Sequence, residues 1–576
     1  IWCIVDSRDV TIKPLPSLDP TRWMAEVTFD RVSVPVERQL LLLSDRTASD
    51  FTAAMVAAEC TGGMAWCLDT ASSYAKVREQ FGRPIGQFQA VKHRLADMLV
   101  ALEQASATAW DAAVVAAVAA DGQEDSAALS SAVASVICLD GFVDAAKGCI
   151  QVLGGIGFTW EHDAHIYLKR ALSLRQYLGG TERWRREVAG LALEGARRSL
   201  AAELVAALPA GEADERRDAV SAEIAEIKSL DRNERRTRLA QEGYIAPHWP
   251  RPWGRDAGAV EQLVIDDELE RAGMRRPHLQ VGAWALPTII AYGTPEQQER
   301  WVRPTLLGEL SWCQMFSEPG AGSDLANLST KASRVDGGWR LSGQKVWTSM
   351  AGQADLAICL ARTNPNAAKH DGITYFILDM KSDGIEIRPL RELTGAAMFN
   401  EVFLADVFVA DDCVVGEVDG GWQLARTTLA NERVSMSSGS SFGGGVEGLL
   451  DLVSSHSRQS PVSSVVVDQV GAVVSEAQSL AVLGHRSTLR ALSGVDPGPE
   501  SSVRKLLGVE HEQRVQELGL TLLGPEGATT EGDAARWTFG FLANRCLTIA
   551  GGTSEVQRNL IAERLLGLPR DPEPGT

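Results

Sequence analysis

Apolar and polar positions change rhythm twice along the second two thirds of the chain. Roughly 197–311 sets apolar and charged residues at helical spacing, as in VEQLVIDDELERAGM, and predicts helices. Residues 312–420 carry β-branched runs cut by glycine turns (GGWRLSGQKVWTS, LAICLART, GITYFILDM, GIEIRPL) and predict a strand-rich domain. Residues 421–576 return to long amphipathic helices. The first third is an abbreviated version, with strand-like alternation over 1–45 and helices over 46–196.

The abbreviation is a repeat. VTFDRVSVP (Val27–Pro35) echoes VFLADVFVA (Val402–Ala410), and both read as strands. QVLGGIGF (Gln151–Phe158) stands 370 positions before TLLGPEGA, and Gly180-Thr181 stands 372 before Gly552-Thr553. Two copies of one architecture are implied. The second has a helical, a strand-rich and a helical part; the first shows only the end of a strand domain and a helical domain. The chain opens on the apolar run IWCIV, so it is expected to begin inside a domain.

Composition narrows the classes. With 45% hydrophobic residues the chain is globular, and 576 residues exceed one ordinary core. A balance of 56 basic against 75 acidic residues, −19 in all, argues against a nucleic-acid partner. The nine cysteines are scattered without a CxxC pair, as expected of reduced thiols in a cytoplasmic protein. No uninterrupted apolar run approaches the ~18–20 residues of a membrane span. No metal site is expected.

Several stretches suggest chemistry. SEPGAGSDL (Ser317–Leu325) follows an apolar strand, and its glycines permit N–H groups to turn toward a phosphate or a flavin edge. A plain strand–turn connector fits the same residues. VWTS (Val346–Ser349) sets an aromatic face beside hydroxyls, suited to a planar ring or to core packing. In QVLGG the paired glycines each cost a helix ~1 kcal/mol, so either a ligand approaches the backbone or the helix ends there. REQFGRPIGQFQ (Arg78–Gln89) offers a cation and aromatics, or merely a corner between helices. Glu432, in TLANERVSMSS, is expected at the head of a helix with a small, apolar face following; the alternative is an acid favouring the helix N-terminus, with Arg433 a surface cation.

Together these motifs resemble the acyl-CoA dehydrogenase family, over essentially the whole chain. The fused two-copy members linked to sterol side-chain degradation are the nearest in kind. The resemblance implies an α+β fold: a helical N-domain, a middle β-barrel-like domain and a C-terminal four-helix domain, duplicated here with the first copy incomplete. It implies domains at 1–45 and 46–196 in copy 1, then 197–311, 312–420 and 421–576 in copy 2. The implied cofactor is FAD, cradled by Gln314, Phe316, Ser317, Gly322 and Ser323, by Trp347 and Ser349, and by Thr553 and Glu555. The first copy would add the partner contribution through Arg78, Phe81, Gln89, Gln151, Gly154 and Gly155. The implied reaction is α,β-dehydrogenation of an acyl-CoA thioester to the trans-2-enoyl-CoA. A carboxylate removes the α proton, Gly551 and Ser323 lie at the substrate, and Arg433 steadies it or neutralises CoA phosphate. An electron-transfer flavoprotein as acceptor and a homodimer of fused chains also follow from the resemblance. Acyl-CoA oxidase, monooxygenase and a non-catalytic flavin- or CoA-binding scaffold remain as rivals on the same fold.

Spacing then separates the copies. Many relatives keep the catalytic Glu directly before the GT of the repeated phrase GGTERW/GGTSEV, where this chain has Gly179 and Gly551. A second group places it 26 residues before the RxxFG arginine. That count leads from Arg458 to Glu432, but from Arg78 to Thr52. Glu59, seven residues on from Thr52, has the wrong helical phase. The cofactor motifs decay in the opposite sense: Phe81, Gln151 and Gly155 become Pro461, Thr521 and Pro525 in copy 2, whereas Glu555 becomes Arg183 in copy 1. One FAD site per chain, built from both copies, is the expectation. A vacated site in copy 1 would leave room for a bulky substrate such as a steroid side-chain CoA.

Overall fold

The structure, a computed structural model, describes residues 2–41, 43–118, 124–198, 212–437, 445–458, 461–492 and 500–571. The 438–444 part of the small-residue run after Glu432 lies outside them. Copy 1 begins with short antiparallel pairs, β1 (Trp2–Cys3) with β4 (Gln39–Leu40) and β2 (Thr11–Leu15) with β3 (Met24–Thr28). The strand expected through Val27–Pro35 ends at Thr28. Its counterpart in copy 2 lies between two neighbours, whereas β3 pairs only with β2 and its side chains stay exposed.

Helices α1 (Asp45–Val77), α2 (Gln89–Val118), α3 (Glu124–Leu153), α4 (Ala164–Tyr177) and α5 (Thr181–Leu193) follow. Ser44 starts α1 by accepting from the Thr47 N–H, satisfying one of the free amides of a helix start. Between α1 and α2 the RxxFG motif makes a hairpin, β5 (Glu79–Gln80) with β6 (Arg83–Pro84). The helical part of copy 2 comprises α6 (Glu212–Ser229), α7 (Arg232–Gln241), α8 (Ala259–Arg271), α9 (Gly282–Tyr292) and α10 (Pro295–Leu307). The last opens on a Thr294–Gln297 capping box with proline at its first position.

The strand part is one eight-stranded sheet. Its strands are β7 (Trp312–Met315), β8 (Lys331–Val335), β9 (Gly338–Ser349), β10 (Leu356–Arg362), β11 (Ile373–Asp379), β12 (Ile385–Leu390), β13 (Phe399–Ala410) and β14 (Val414–Val415). They run in the order β12-β13-β9-β8-β10-β11-β14, with β7 joined to β10. One face packs on the preceding helices; the other builds its own cluster around Trp339, Phe376 and Leu404. Alternation therefore persists in β13, while β10 and β11 are buried and mostly apolar up to their polar last residues, as expected of strands covered on both faces.

Helices α11 (Gly421–Ser437), α12 (Val446–Ser457), α13 (Ser464–Leu492), α14 (Glu500–Leu523), α15 (Gly532–Ala543) and α16 (Ser554–Leu560) complete copy 2. Both copies' C-terminal helices bury their apolar stripes in one continuous core, from Ala53 to Leu568. At the seam, a Cβ on Gly471 of α13 would lie 1.9 Å from the Arg185 carbonyl of α5, so glycine is what lets these helices touch. Arg185 bridges the copies by pairing with both Asp140 and Asp468.

Among the described residues, three helical stretches, Asp45–Val77, Asp125–Phe158 and Ser464–Arg486, are long and apolar enough to cross a membrane by length and composition. Polar residues interrupt each of them, so none is an unbroken apolar run. In the second, 78% of the most apolar window is buried within the protein, which accounts for its alanine-rich, hydrophobic surface.

Candidate functional site

Glu432 does not head its helix. It lies in the second half of α11, which starts at Gly421, so attraction to a helix N-terminus cannot explain it. The residue is 9% exposed. Gln314, at the end of β7, donates from Nε2 to Glu432 Oε2 at 3.1 Å. Trp284 of α9 donates from Nε1 to Gln314 Oε1 at 2.6 Å. Gln314 is thus a partner of the carboxylate; no side-chain contact leads it toward a flavin cradle. Burial drives the proton affinity of Glu432 up, and the Gln314 hydrogen bond with the Arg433 and Lys505 charges opposes it without cancelling it. Arg433 is no free surface cation: its Nε is buried without a partner among the described residues.

Lys505 of α14 is wholly buried and was not singled out in the sequence, where it is one cation in a helical pattern. Its Nζ donates to the Gly552 carbonyl at 2.8 Å. Burial pulls its pKa down to about 8, against the charge of Glu432, with Arg433 pulling the same way as burial. The turn it holds is the second GGT phrase. Gly551 and Gly552 adopt φ of 64° and 87°, which glycine accepts without strain. Gln557 donates to both of their carbonyls, at 2.9 and 3.2 Å. With the carbonyls drawn inward, the Gly551 and Gly552 N–H groups have no acceptor among the described residues. Thr553 caps α16 by accepting from the Val556 N–H, and Glu555 is exposed on its first turn. Together with Gln513, Thr548 and Arg558 these residues line a cleft of about 500 Å³.

The loop Ser317–Leu325 is pinned from below. Lys345, wholly buried on β9, donates to the Phe316 carbonyl at 3.1 Å and to Glu318 at 2.8 Å. Glu318 also accepts from the Ser329 and Thr330 N–H groups. Burial would raise its pKa, but Lys345 and these N–H groups hold it at about 2. Gly322 and Ser323 are exposed above this anchor, and space is open where a Cβ on Gly320 or Gly322 would project. Ser317 links the loop to β9 by accepting from the Val346 N–H. The Phe316 ring is 2% exposed and meets Tyr375 edge-on in the core, so only its backbone is available to the loop. Trp347 is 60% exposed at φ 61°, with Thr348 buried beneath it and Ser349 half-buried.

In copy 1, Phe81 repeats this signature at 93% exposure and φ 55°. A left-handed backbone under a bulky aromatic is costly and persists where surroundings impose it. Arg78, Gln89, Gln151, Gly154 and Gly155 are all exposed, and a Cβ on Gly82, Gly154 or Gly155 would meet nothing. Gly154 ends α3 at φ 67°, so the helix-terminus reading of QVLGG holds as well.

The start of α2 lies against α16. Lys92 pairs with Glu563 at 2.8 Å, His93 with Asn559 at 3.1 Å, and Arg558 with Asp97 at 2.7 Å. The start of α2, which follows the Arg78–Gln89 corner of copy 1, is thereby held on α16 of copy 2 within one chain. No hydrogen bond or ion pair among the described residues joins Gln151–Gly155 to copy 2.

The copy 1 counterpart carries no base. Thr52 gives its hydroxyl to the Ala48 carbonyl. Glu59 is held by Arg22 and Arg170, and Arg170 also holds Asp19. One turn away, Arg46 joins Asp50 and Glu187. Ion pairs therefore flank the Thr52 position of copy 1.

Comparison with known proteins places this geometry. The family model "Acyl-CoA dehydrogenase, C-terminal domain" matches residues 46–193 and again 419–566. The middle-domain model matches 313–407 and the N-terminal-domain model 210–309. The chain belongs to the acyl-CoA dehydrogenase family. Acyl-CoA dehydrogenase FadE34 of Mycobacterium tuberculosis is 49% identical over 573 residues, covering 99% of this chain and 77% of that protein. Acyl-CoA dehydrogenase IpdE1 of the same organism is 36% identical over 58% of this chain and 87% of its own length. Among solved structures, the Tcur3481-Tcur3483 steroid ACAD superposes with a TM-score of 0.51 at 28% identity, over 66% of this chain and 98% of that one. An acyl-CoA dehydrogenase oxidoreductase is thereby established.

Family members use FAD, and the residues present fit it. Phe81 is exposed beside Gly82, Trp347 is exposed on the strand bonded to Ser317, and at Gly82, Gly154, Gly155, Gly320 and Gly322 the missing side chains leave the backbone open to a close ligand.

Proposed function

We propose that this acyl-CoA dehydrogenase binds one FAD per chain across its two copies and takes a bulky, steroid-bearing acyl-CoA. The observation that carries the reading is Glu432, a buried carboxylate between Gln314 and Lys505 beside the second GGT turn. Trp347, Ser349, the Gly320–Ser323 loop, Thr553 and Glu555 would hold the flavin from copy 2, and Arg78, Phe81 and Gln89 from copy 1. The bound flavin supplies the acceptor for the β hydrogen.

Glu432 removes the α proton. Its raised proton affinity suits this task, since a base that holds its proton too weakly drives the transfer poorly. General-base help of this kind contributes about 10²–10⁴-fold. The inward carbonyls of Gly551 and Gly552 leave their N–H groups to stabilise the charge that develops on the thioester oxygen. Lys505 keeps that turn in place.

Support for the substrate comes from a relative named as a steroid ACAD. The test is an anaerobic screen in which the flavin-loaded protein meets short-chain, long-chain and steroid acyl-CoAs. Rapid bleaching by the steroid thioester alone supports the assignment; equal or faster bleaching by a straight-chain thioester removes it. Slow reoxidation in air, with fast reoxidation by an electron-transfer flavoprotein, separates a dehydrogenase from an oxidase.

A further inference from the structure

A carboxamide has two unlike ends: its oxygen only accepts and its nitrogen only donates. An indole N–H only donates. Trp284 places that donor 2.6 Å from Gln314 Oε1, which leaves the amide one workable orientation, with Nε2 on Glu432 at 3.1 Å. Turned over, the amide would set its N–H against the indole N–H and its oxygen against the carboxylate. The observed orientation offers a donor to charged Glu432 and no acceptor to its neutral, protonated form.

We propose that Trp284 is a positioning residue: by fixing the direction of the Gln314 amide it sets the proton affinity of Glu432. The catalytic meaning rests on Glu432 being the base; the control of its titration does not. Four elements bring polar groups to α11, and from β7 comes Gln314, the one that bonds Glu432 directly. From α9 come Trp284 and Thr288; from β11 comes Tyr375, whose hydroxyl meets Thr428 at 3.1 Å. From α14 comes Lys505, on which the charges of Glu510 and Glu555 also act, and Arg433 adds a second cation from α11 itself. The two cations favour the carboxylate at long range. The amide lock favours it by direct contact and without adding charge, which keeps a deeply buried base ionisable.

The test reads Glu432 directly. The carboxyl stretch of the full-length, flavin-loaded protein is titrated by infrared difference against Glu432→Gln. Trp284→Phe frees the amide to turn and accept from a protonated Glu432, so the titration should move up by about one pH unit, the size of a net hydrogen bond. Gln314→Met removes the donor and should move it up comparably, and Trp284→Phe should add nothing in that background. If Trp284→Phe does not fold, a benzothienyl side chain at 284 keeps the shape and lacks the N–H. An unmoved titration with either change at 284, or a uniform loss of activity at every pH without a shift, overturns the proposal. Flavin bleaching that survives Glu432→Gln would instead overturn the base assignment and leave the titration result standing.

Discussion

Lys505 reaches the carbonyl of Gly552 at 2.8 Å from a position with no solvent exposure. A buried cation is thereby tied to the second GGT turn, and its charge also acts on Glu432 and Glu555.

Its burial has a pH signature. A lysine whose pKa falls from 10.5 to about 8 on folding is bound to fewer protons in the folded state. Stability should then rise as pH climbs from about 8 to 10.5, by about 3 kcal/mol in total. Urea unfolding of the parent and of Lys505→Met across pH 7.5–10.5 should show this slope only in the parent.

Glu432 carries the opposite sign. Its folded pKa is raised, so its contribution to stability is present at low pH and lost as pH rises through that value. Glu432→Gln should raise the thermal midpoint relative to the parent, with the gap widening from pH 5 to pH 8. A gap that closes with rising pH would contradict the burial account.

The pair Glu318–Lys345 anchors the glycine loop, and both side chains are almost wholly buried. Glu318→Gln leaves the ammonium unpaired and should destabilise by about 3–5 kcal/mol. In the parent, a carboxylate held at about 2 contributes stability above its ordinary range that is lost as pH falls from 4.5 toward 2. Acid unfolding followed by circular dichroism should therefore be shallower in the variant.

How far the residues alone carried this reading depends on where their partners lie. Glu432 was found by spacing within copy 2, because family motifs fix distances along the chain. Its surroundings were not: Trp284 sits in an apolar helix and Lys505 in an ordinary amphipathic one, and only folding brings them to α11. Gln314 and Phe316 adjoin the SEPGAGS loop in sequence, but their side chains are placed by the fold. Strand alternation at the end of β7 turns Phe316 into the core, and Gln314 finds a buried acid. The exposed Phe81 and Trp347 kept their expected availability, since a left-handed backbone points each ring away from the packing behind it. The helical and strand-rich regions followed from periodicity; the first-copy strands are shorter where no second neighbour pairs with them.

Divided labour between the copies predicts asymmetric mutants. Arg78→Ala should weaken FAD binding by about tenfold or more, the scale of one charge-assisted hydrogen bond. Arg458→Ala, at the equivalent position of copy 2, should leave it unchanged. Fluorescence titration of the apoprotein with FAD measures both; equal losses would point to two flavin sites per chain.

The most direct measurement is anaerobic stopped-flow bleaching of the bound flavin by acyl-CoA, in the parent and in Glu432→Gln, with flavin content determined beforehand. The account predicts about one FAD per chain in both proteins and a bleaching rate at least about 10²-fold lower in the variant. Parental bleaching in Glu432→Gln, at equal flavin content, would contradict it.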